Sequence, residues 1–323
     1  MATTFSKIFG LVLALLICWG QLAYFSSSGG NGGLFQSLSS TTKVEVLTQN
    51  STYYDGDVAI LITSGWVPSH PSTYLVETVI NSTNHLIGLH PSTPIIITID
   101  QLNSDEKDSD DKEKMKALEA YTLNLTMRYM TNPRIHILPA MMNLHLGGNV
   151  MKAIHLIEQH YPTVEYLYSL QHDISFTKDI DHISLVDVMK KNFTNITTNV
   201  NYILFHNKLQ HGCGNDKDIN YTRTKMVGEE VGLNLTDSEK KQLGEQEIGT
   251  LYPTHRYSDR NHLVRFPWYS ELITSIIFYH RFPEGPLQVR ANAGCASNNS
   301  IGLYLYEENS IAHLNGRGFV LND

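Results

Sequence analysis

The chain has 323 residues, of which 41% are hydrophobic and 17% are charged, and its net charge is −8. This apolar content excludes wholesale disorder, and at about 150 residues per domain the length allows one large α/β domain or two smaller domains. The negative charge argues against a dedicated nucleic-acid-binding protein, and three cysteines are too few for a disulfide scaffold or a Cys-rich zinc module.

An uncharged apolar segment, residues 8–25, follows a short N-terminal tail, residues 1–7. As a helix this segment would span roughly 27 Å, enough to cross the hydrocarbon core of a membrane. It is either a signal anchor, which would place the tail in the cytoplasm, or a cleaved signal peptide. The absence of a clear A-x-A site, and the aromatic residues Trp19, Tyr24 and Phe25 at its outer end, favour the anchor.

Residues 26–45 are rich in Ser, Gly and Thr, which is typical of a flexible stalk, and residues 46–323 form the predicted folded domain. N-glycosylation sequons begin at Asn50, Asn81, Asn124, Asn192, Asn195, Asn220, Asn234 and Asn298. Sequons are acceptors only in the secretory lumen, although an Asn/Ser/Thr-rich sequence also produces them by chance. We therefore predict a type II membrane glycoprotein of the Golgi or ER with a lumenal domain, or else a secreted protein.

Two cysteines, Cys213 and Cys295, remain for the folded domain after Cys18 is assigned to the apolar segment. In an oxidising lumen they would either form a disulfide or stay as two thiols. Sequence alone leaves both alternatives open.

Strand-like and helix-like patterns alternate through the first half of this domain. We predict strands over residues 57–63, 93–100, 134–138, 164–170 and 201–205, and helices over 73–80, 114–130, 149–160 and 183–189. This alternation predicts an α/β fold with a mostly parallel sheet and helices on both faces. The last third is less regular, and residues 301–318 indicate two short strands around a turn.

Open parallel sheets bind their ligands at the carboxyl ends of the strands. The residues expected there are the loop 64–72, Asp100 after the second strand, and Gln171, His172 and Asp173 after the fourth. Templates for other enzymes are missing, because the sequence contains no G-x-S-x-G, H-E-x-x-H, Walker A or G-x-G-x-x-G motif.

The order of these features resembles the nucleotide-sugar-binding half of family-2-like glycosyltransferases. A strand ending in Asp100 is followed by HLGGNVMKAIHLI and then by a strand ending in LQHD. Three further segments extend this resemblance: ILITSGWVPSHPST, SDRNHL and the closing GLYLY…IAHLNGR. Over roughly residues 57–320 the sequence is similar to glycosyltransferase-like proteins of algae and large viruses. The resemblance implies a GT-A fold and transfer of a sugar from a nucleotide donor to a hydroxyl of a glycan or glycoprotein.

The resemblance also implies a divalent cation, Mn²⁺ or Mg²⁺, which would stabilise the charge that develops on the diphosphate leaving group. Asp173 is the expected ligand, and His313 and His262 are candidates for further metal or phosphate contacts. Gln171 stands where the family has the first acid of its DxD motif, so a single carboxylate remains and metal dependence is open. The alternative role of Asp173 is that of a turn or capping acid.

The remaining site candidates have alternative structural roles as well. The nucleotide-sugar contacts implied are Ser64, His70, Asp100, Gly148, Asn149, Gln171, His172, Arg256 and Arg317. Asp259 is the first candidate for the base that deprotonates the acceptor hydroxyl and Glu284 the second, although Asp259 would also suit a helix N-cap. Trp66, Trp268 and Tyr269 would either stack on a sugar ring or belong to the core.

Two other functions remain open on the same residues. One is a non-catalytic protein that binds a glycan or a nucleotide sugar, which the Gln at position 171 favours. The other is a secreted structural glycoprotein in which these acids are ordinary turn residues.

Overall fold

The structure is a computed structural model that describes residues 56–68, 72–102, 109–190, 199–206, 219–222, 248–276, 283–296 and 301–314. The chain divides into two units, Met1–Gln49 and Asn50–Asp323, and all described residues belong to the second. Over these ranges no helix has both the length and the apolar character needed to cross a membrane. The predicted tail, anchor and stalk lie outside the described residues, as do His70, Arg317 and Cys213.

Thirteen strands and six α-helices make up the described part of the chain. The strands are β1 Val58–Ser64, β2 Leu86–Ile87, β3 Ile95–Ile99, β4 Ile135–Pro139, β5 Tyr166–Gln171, β6 Ile174–Phe176, β7 Ile180–Asp181, β8 Tyr202–His206, β9 Ile219–Thr222, β10 Ile248–Pro253, β11 His262–Arg265, β12 Leu303–Asn309 and β13 Ile311–His313. The helices are α1 Tyr74–Ser82, α2 Ser109–Tyr129, α3 His145–His160, α4 His182–Lys190, α5 Phe266–Ile276 and α6 Glu284–Ala296.

Nine of these strands form one sheet in the order β4-β3-β1-β5-β11-β8-β12-β10-β9. The block β4-β3-β1-β5 is entirely parallel. Strand β11 pairs antiparallel with both β5 and β8, and β10 pairs antiparallel with both β12 and β9, so only these two strands of the described sheet oppose the others. The predicted mostly parallel α/β sheet is confirmed.

Helices cover both faces of this sheet, as predicted. On one face α1, α2 and α4 pack against a cluster that includes Ile60 and Ile97. On the other face α3, α5 and α6 pack against a cluster that includes Leu61 and Ile96. Neighbouring residues of β1 and β3 therefore enter opposite clusters, because successive side chains of a strand point to opposite faces. This double covering explains why both strands are apolar along their length.

The first turn of α3 differs from the sequence prediction. The segment HLGG was expected to precede a helix beginning at Asn149, but it lies inside the helix, which begins at His145. His145 itself has a positive φ of 51°, in the left-handed region. A Cβ on Gly148 would lie 2.8 Å from Cβ of Leu144, so glycine is needed here for close approach within the helix start.

Candidate functional site

A cavity of about 290 Å³ opens at the carboxyl edge of the parallel block. It is lined by Thr63, Ser64, Asp100, Leu146, Asn149, Gln171, His172 and Asp173. Six of these eight are predicted site residues, and only Thr63 and Leu146 are additions. The structure therefore brings together side chains from the ends of β1, β3 and β5 and from the first turn of α3.

The position of the cavity follows from the connections of the strands. The chain leaves β1 through α1, on one face of the sheet, and enters β5 from α3, on the other face. Because β1 and β5 are parallel neighbours, these connections diverge and leave a crevice at their carboxyl ends. In open α/β sheets such a switch point is the usual place for a ligand.

Asp100 connects the end of β3 to the segment before α3. Its Oδ1 accepts hydrogen bonds from the backbone N–H of Leu144 at 2.8 Å and of Gln101 at 2.9 Å. Both bonds use the same carboxylate oxygen. Asp100 therefore has a structural role, holding the start of α3 beside the cavity, and it also contributes a negative charge to the cavity wall.

Asn149 is a buried polar residue of the cavity wall, with 3% of its surface exposed. Its Nδ2 donates to the carbonyl of His145 at 2.8 Å, while its Oδ1 is buried without a hydrogen-bond partner. A buried acceptor without a donor is unfavourable by about 1–3 kcal/mol.

His172 presents a second acceptor of this kind. Its backbone N–H donates to the carbonyl of Thr63 at 3.1 Å, and its ring Nδ1 lies 3.2 Å from the same oxygen. A carbonyl can only accept, so Nδ1 carries the proton and Nε2 of the neutral ring is an acceptor. Burial lowers the pKa of the ring, and Nε2 is buried without a partner.

Asp173 lies in the tight turn between β5 and β6. Its Oδ2 is 3.7 Å from Nδ1 of His313 on β13, and its carbonyl accepts from the backbone N–H of Leu314 at 2.8 Å. Over the described ranges no three His, Cys, Asp or Glu residues are grouped as a metal site would require. Asp173 and His313 are thus adjacent, but a cation here would need ligands from elsewhere.

The cavity wall is negatively charged. It holds the carboxylates of Asp100 and Asp173, and none of its eight described residues is Lys or Arg. A diphosphate alone would be repelled by such a wall. A ligand that brings donors or a cation would be attracted.

Asp259 lies in the loop between β10 and β11, which enters the sheet at the same carboxyl edge. Burial, and to a smaller extent the negative charge of Glu284, raises the pKa of its carboxyl group from 3.8 to about 7. Glu284 is the exposed first residue of α6. The structure thus brings the two predicted candidates for the base near enough for the charge of Glu284 to act on Asp259, and neither residue lines the described cavity.

His262 is not brought together with Asp173. It is 1% exposed and is packed among aromatic rings, with its ring centroid 4.8 Å from that of Tyr202 and 5.7 Å from that of Tyr269. Its Nδ1 donates to the carbonyl of Arg260, and burial lowers its pKa to about 4. This is the environment of a neutral core histidine.

The other predicted contacts lie around the site without lining the cavity. Gly148 is in the first turn of α3, and Arg256 is half-buried in the loop after β10. Tyr269 is a core residue with 1% exposure. Trp66 and Trp268 are partly buried, and each packs against a different face of the sheet.

No family model matches the chain, and no curated protein matches it. Among solved structures, S. aureus TarS 1–349 is 11% identical with a TM-score of 0.42, covering 79% of this chain and 60% of its own. The same protein in complex with UDP has a TM-score of 0.41. GalNAc-T7 with UDP, GalNAc and Mn²⁺ is also 11% identical, with a TM-score of 0.41 over 79% of this chain and 43% of its own.

The aligned region therefore spans less than two thirds of each of these glycosyltransferases. At this identity and TM-score the likeness assigns neither a substrate nor an activity. The resemblance to algal and viral proteins stays a prediction.

Proposed function

We propose that this protein is a nucleotide-sugar-dependent glycosyltransferase of the GT-A type, whose donor occupies the cavity at the carboxyl edge of the parallel block. The observation that carries this proposal is the cavity at the switch point of the sheet, whose wall holds the carboxylates of Asp100 and Asp173 and, among its described residues, no Lys or Arg. Ribose and sugar hydroxyls, and the N–H groups of a nucleobase, are donors that these carboxylates can accept from.

A divalent cation fits this wall better than a bare diphosphate does. When bound, Mn²⁺ or Mg²⁺ would neutralise the charge that develops on the leaving diphosphate. Asp173 is the oxygen ligand available at the turn, and His313 lies beside it. Asp100 remains for the nucleoside side of the donor.

In this proposal Asp259 removes the proton from the acceptor hydroxyl. A general base works best when its pKa is near the working pH, and the carboxyl group of Asp259 has a pKa of about 7. Glu284 supports this role because its negative charge contributes to that pKa. The proposed acceptor is a glycan or glycoprotein in the secretory lumen, a location that rests on residues 8–25 and on the sequons.

Ligand-induced thermal stabilisation of the full-length chain tests the donor site. Nucleoside diphosphates and nucleotide sugars are added with and without Mn²⁺, and a ligand at a hundred times its Kd should add about 2.7 kcal/mol. Asp173→Ala should lose the Mn²⁺-dependent part. Asp179→Ala is the matched control, because that side chain is 71% exposed and its ion pair with His85 lies at the surface.

The same panel can refute the proposal. If the folded wild type is stabilised by no nucleotide, the donor site is wrong. If Asp173→Ala responds to Mn²⁺ and nucleotide as the wild type does, the metal role of Asp173 is wrong. Turnover of a nucleotide sugar is then measured only with those donors that stabilise the protein.

A second candidate is a non-catalytic nucleotide-sugar-binding protein. Gln171 leaves one carboxylate at the 171–173 turn, and the described residues contain no group of three metal-ligating side chains. This candidate predicts stabilisation by a nucleotide sugar without any hydrolysis or transfer of that sugar. Detection of either reaction would exclude it.

A further inference from the structure

A fully buried asparagine holds the turn that presents His172 and Asp173 to the cavity. Asn261 precedes β11 and has 0% of its surface exposed. Its Oδ1 accepts from the backbone N–H of Gln171 at 3.1 Å, and its Nδ2 donates to the carbonyl of Ile174 at 3.0 Å. One planar amide thus holds both ends of the 171–174 turn.

The two contacts require an acceptor and a donor on the same short side chain. Asparagine provides both. A carboxylate at this position would still accept from Gln171, but it would set a negative charge against the carbonyl oxygen of Ile174. Alanine would remove the side-chain partner of both backbone groups.

Other contacts keep the turn attached without this amide. The carbonyl of Thr63 accepts from the backbone N–H of His172, and the carbonyl of Asp173 accepts from Leu314. Because these bonds come from β1 and from the residue after β13, they persist when residue 261 is changed. A change of Asn261 is therefore expected to alter the shape of the turn without detaching it.

Asn261 also lies at the end of the loop that carries Asp259. Its backbone carbonyl accepts from the N–H of Phe205 at 3.0 Å, and Asp259 is two residues earlier in the same loop. A single residue is therefore bonded to the turn of the proposed donor site and sits within the loop of the proposed base.

We propose that Asn261 is a positioning residue. It sets the geometry of the 171–174 turn at the cavity and the position of this turn relative to the loop that carries Asp259. This inference rests on the proposed function, because its effect is expressed through the donor bound at Asp173. Substitution of residues that orient a metal ligand commonly weakens metal binding by about ten- to a hundred-fold.

The test compares Asn261→Asp and Asn261→Ala with the wild type in the full-length chain. Calorimetry measures the affinity for UDP, GDP, CDP and ADP, each with Mn²⁺, while circular dichroism and thermal melting report folding. We expect folded variants whose affinity is about ten- to a hundred-fold weaker. Excess Mn²⁺ should restore part of that loss in Asn261→Asp, because a misplaced ligand weakens the metal site without removing it.

The matched control is Asn201→Ala. Asn201 also donates from Nδ2 to a backbone carbonyl, that of Ile301 at 3.2 Å, but it precedes β8 at the opposite edge of the sheet. This variant should lose thermal stability and keep the wild-type nucleotide affinity, which separates a general loss of stability from a change at the turn.

Each remaining outcome decides against the inference in a different way. If the wild type binds a nucleotide and folded Asn261 variants bind it equally well, Asn261 does not position the turn and the proposed function stands. If both variants fail to fold, Asn261 is a residue of the fold only. If the wild type binds none of the four nucleotides, the proposed function fails and the inference fails with it.

Discussion

The carboxyl group of Asp259 is both buried and close to a negative charge, so its ionisation is expected near neutral pH. We predict that kcat/KM for sugar transfer rises with pH through a limb centred near 7, because the base must be ionised. Burial is the larger cause of the raised pKa and the charge of Glu284 is the smaller. Glu284→Gln removes that charge, so it should move the limb part of the way to lower pH. Initial rates between about pH 5 and 9 measure the position of this limb. If Glu284→Gln leaves the limb unmoved, the charge of Glu284 does not raise the pKa of Asp259.

The same shift makes a prediction for stability. The folded state holds the proton of Asp259 up to a pKa of about 7, whereas the ordinary pKa of an aspartate is 3.8. Between these values the folded state binds more protons, so the contribution of this group to stability is complete at acidic pH and is lost as the pH rises through about 7. Asp259→Asn cannot ionise, so at pH 8 it should be more stable than the wild type by up to about 4 kcal/mol.

Denaturant unfolding at acidic and alkaline pH tests this prediction. Asp187→Asn serves as the control, because Asp187 is an exposed residue of α4. If Asp259→Asn has a higher free energy of unfolding than the wild type at pH 8 but not at acidic pH, the raised pKa of Asp259 is supported. An equal gain at both pH values, or none at pH 8, shows that the acid is not held in its neutral form.

Six cavity residues were predicted from sequence because they follow apolar strands or begin a helix, and parallel strands bring such positions together. The contacts of Asn261 could not be predicted, since they join residues 90 positions apart and follow no period. The environment of His262 could not be predicted from sequence either. A histidine at a strand start has the same local sequence whether it faces a cavity or an aromatic core.

At the scale of elements, the start of α3 determines the position of Asn149. We predict that Gly148→Ala destabilises the protein by about 1–2 kcal/mol, because overpacking against Cβ of Leu144, about 1–3 kcal/mol, exceeds the gain of about 1 kcal/mol in helix propensity. The helix must move to relieve the contact, so nucleotide affinity should fall as well. Urea unfolding and calorimetry measure the two effects.

Gly65→Ala provides the matched control at the same edge of the sheet. A Cβ on Gly65 would meet no atom within 4 Å, so this change should leave both the free energy of unfolding and the affinity nearly unchanged. If the two alanine variants behave alike, the close approach of Gly148 and Leu144 does not position α3.

The predicted helices and strands of the parallel block are confirmed, with differences at their ends. Helix α2 begins at Ser109, five residues before its predicted start. The acidic residues of this segment suggested a solvated loop, but negative charges also stabilise a helix N-terminus. The two closing strands are confirmed too, although β12 joins the main sheet and β13 pairs with β6. Strand partners at this distance in sequence leave no local pattern.

At the scale of the whole molecule, the sequons test the proposed compartment. Asn81 on α1 and Asn124 on α2 are both exposed. We predict that the full chain, expressed in a eukaryotic host, carries N-glycans at both positions, and that Asn81→Gln and Asn124→Gln each remove one glycosidase-sensitive step in gel mobility. Asn132→Gln, an exposed asparagine without a sequon, should change nothing. A full chain without any N-glycan would contradict the lumenal assignment.

The insertion of β11 between β5 and β8 affects how the protein is made. Strand β5 receives its second neighbour only after about 90 further residues have been synthesised. At roughly 5–20 residues per second, translation leaves this edge open for roughly 5 to 20 seconds. An unpaired apolar edge can pair with another chain. The ribosome-bound chain should therefore be a chaperone client during this interval.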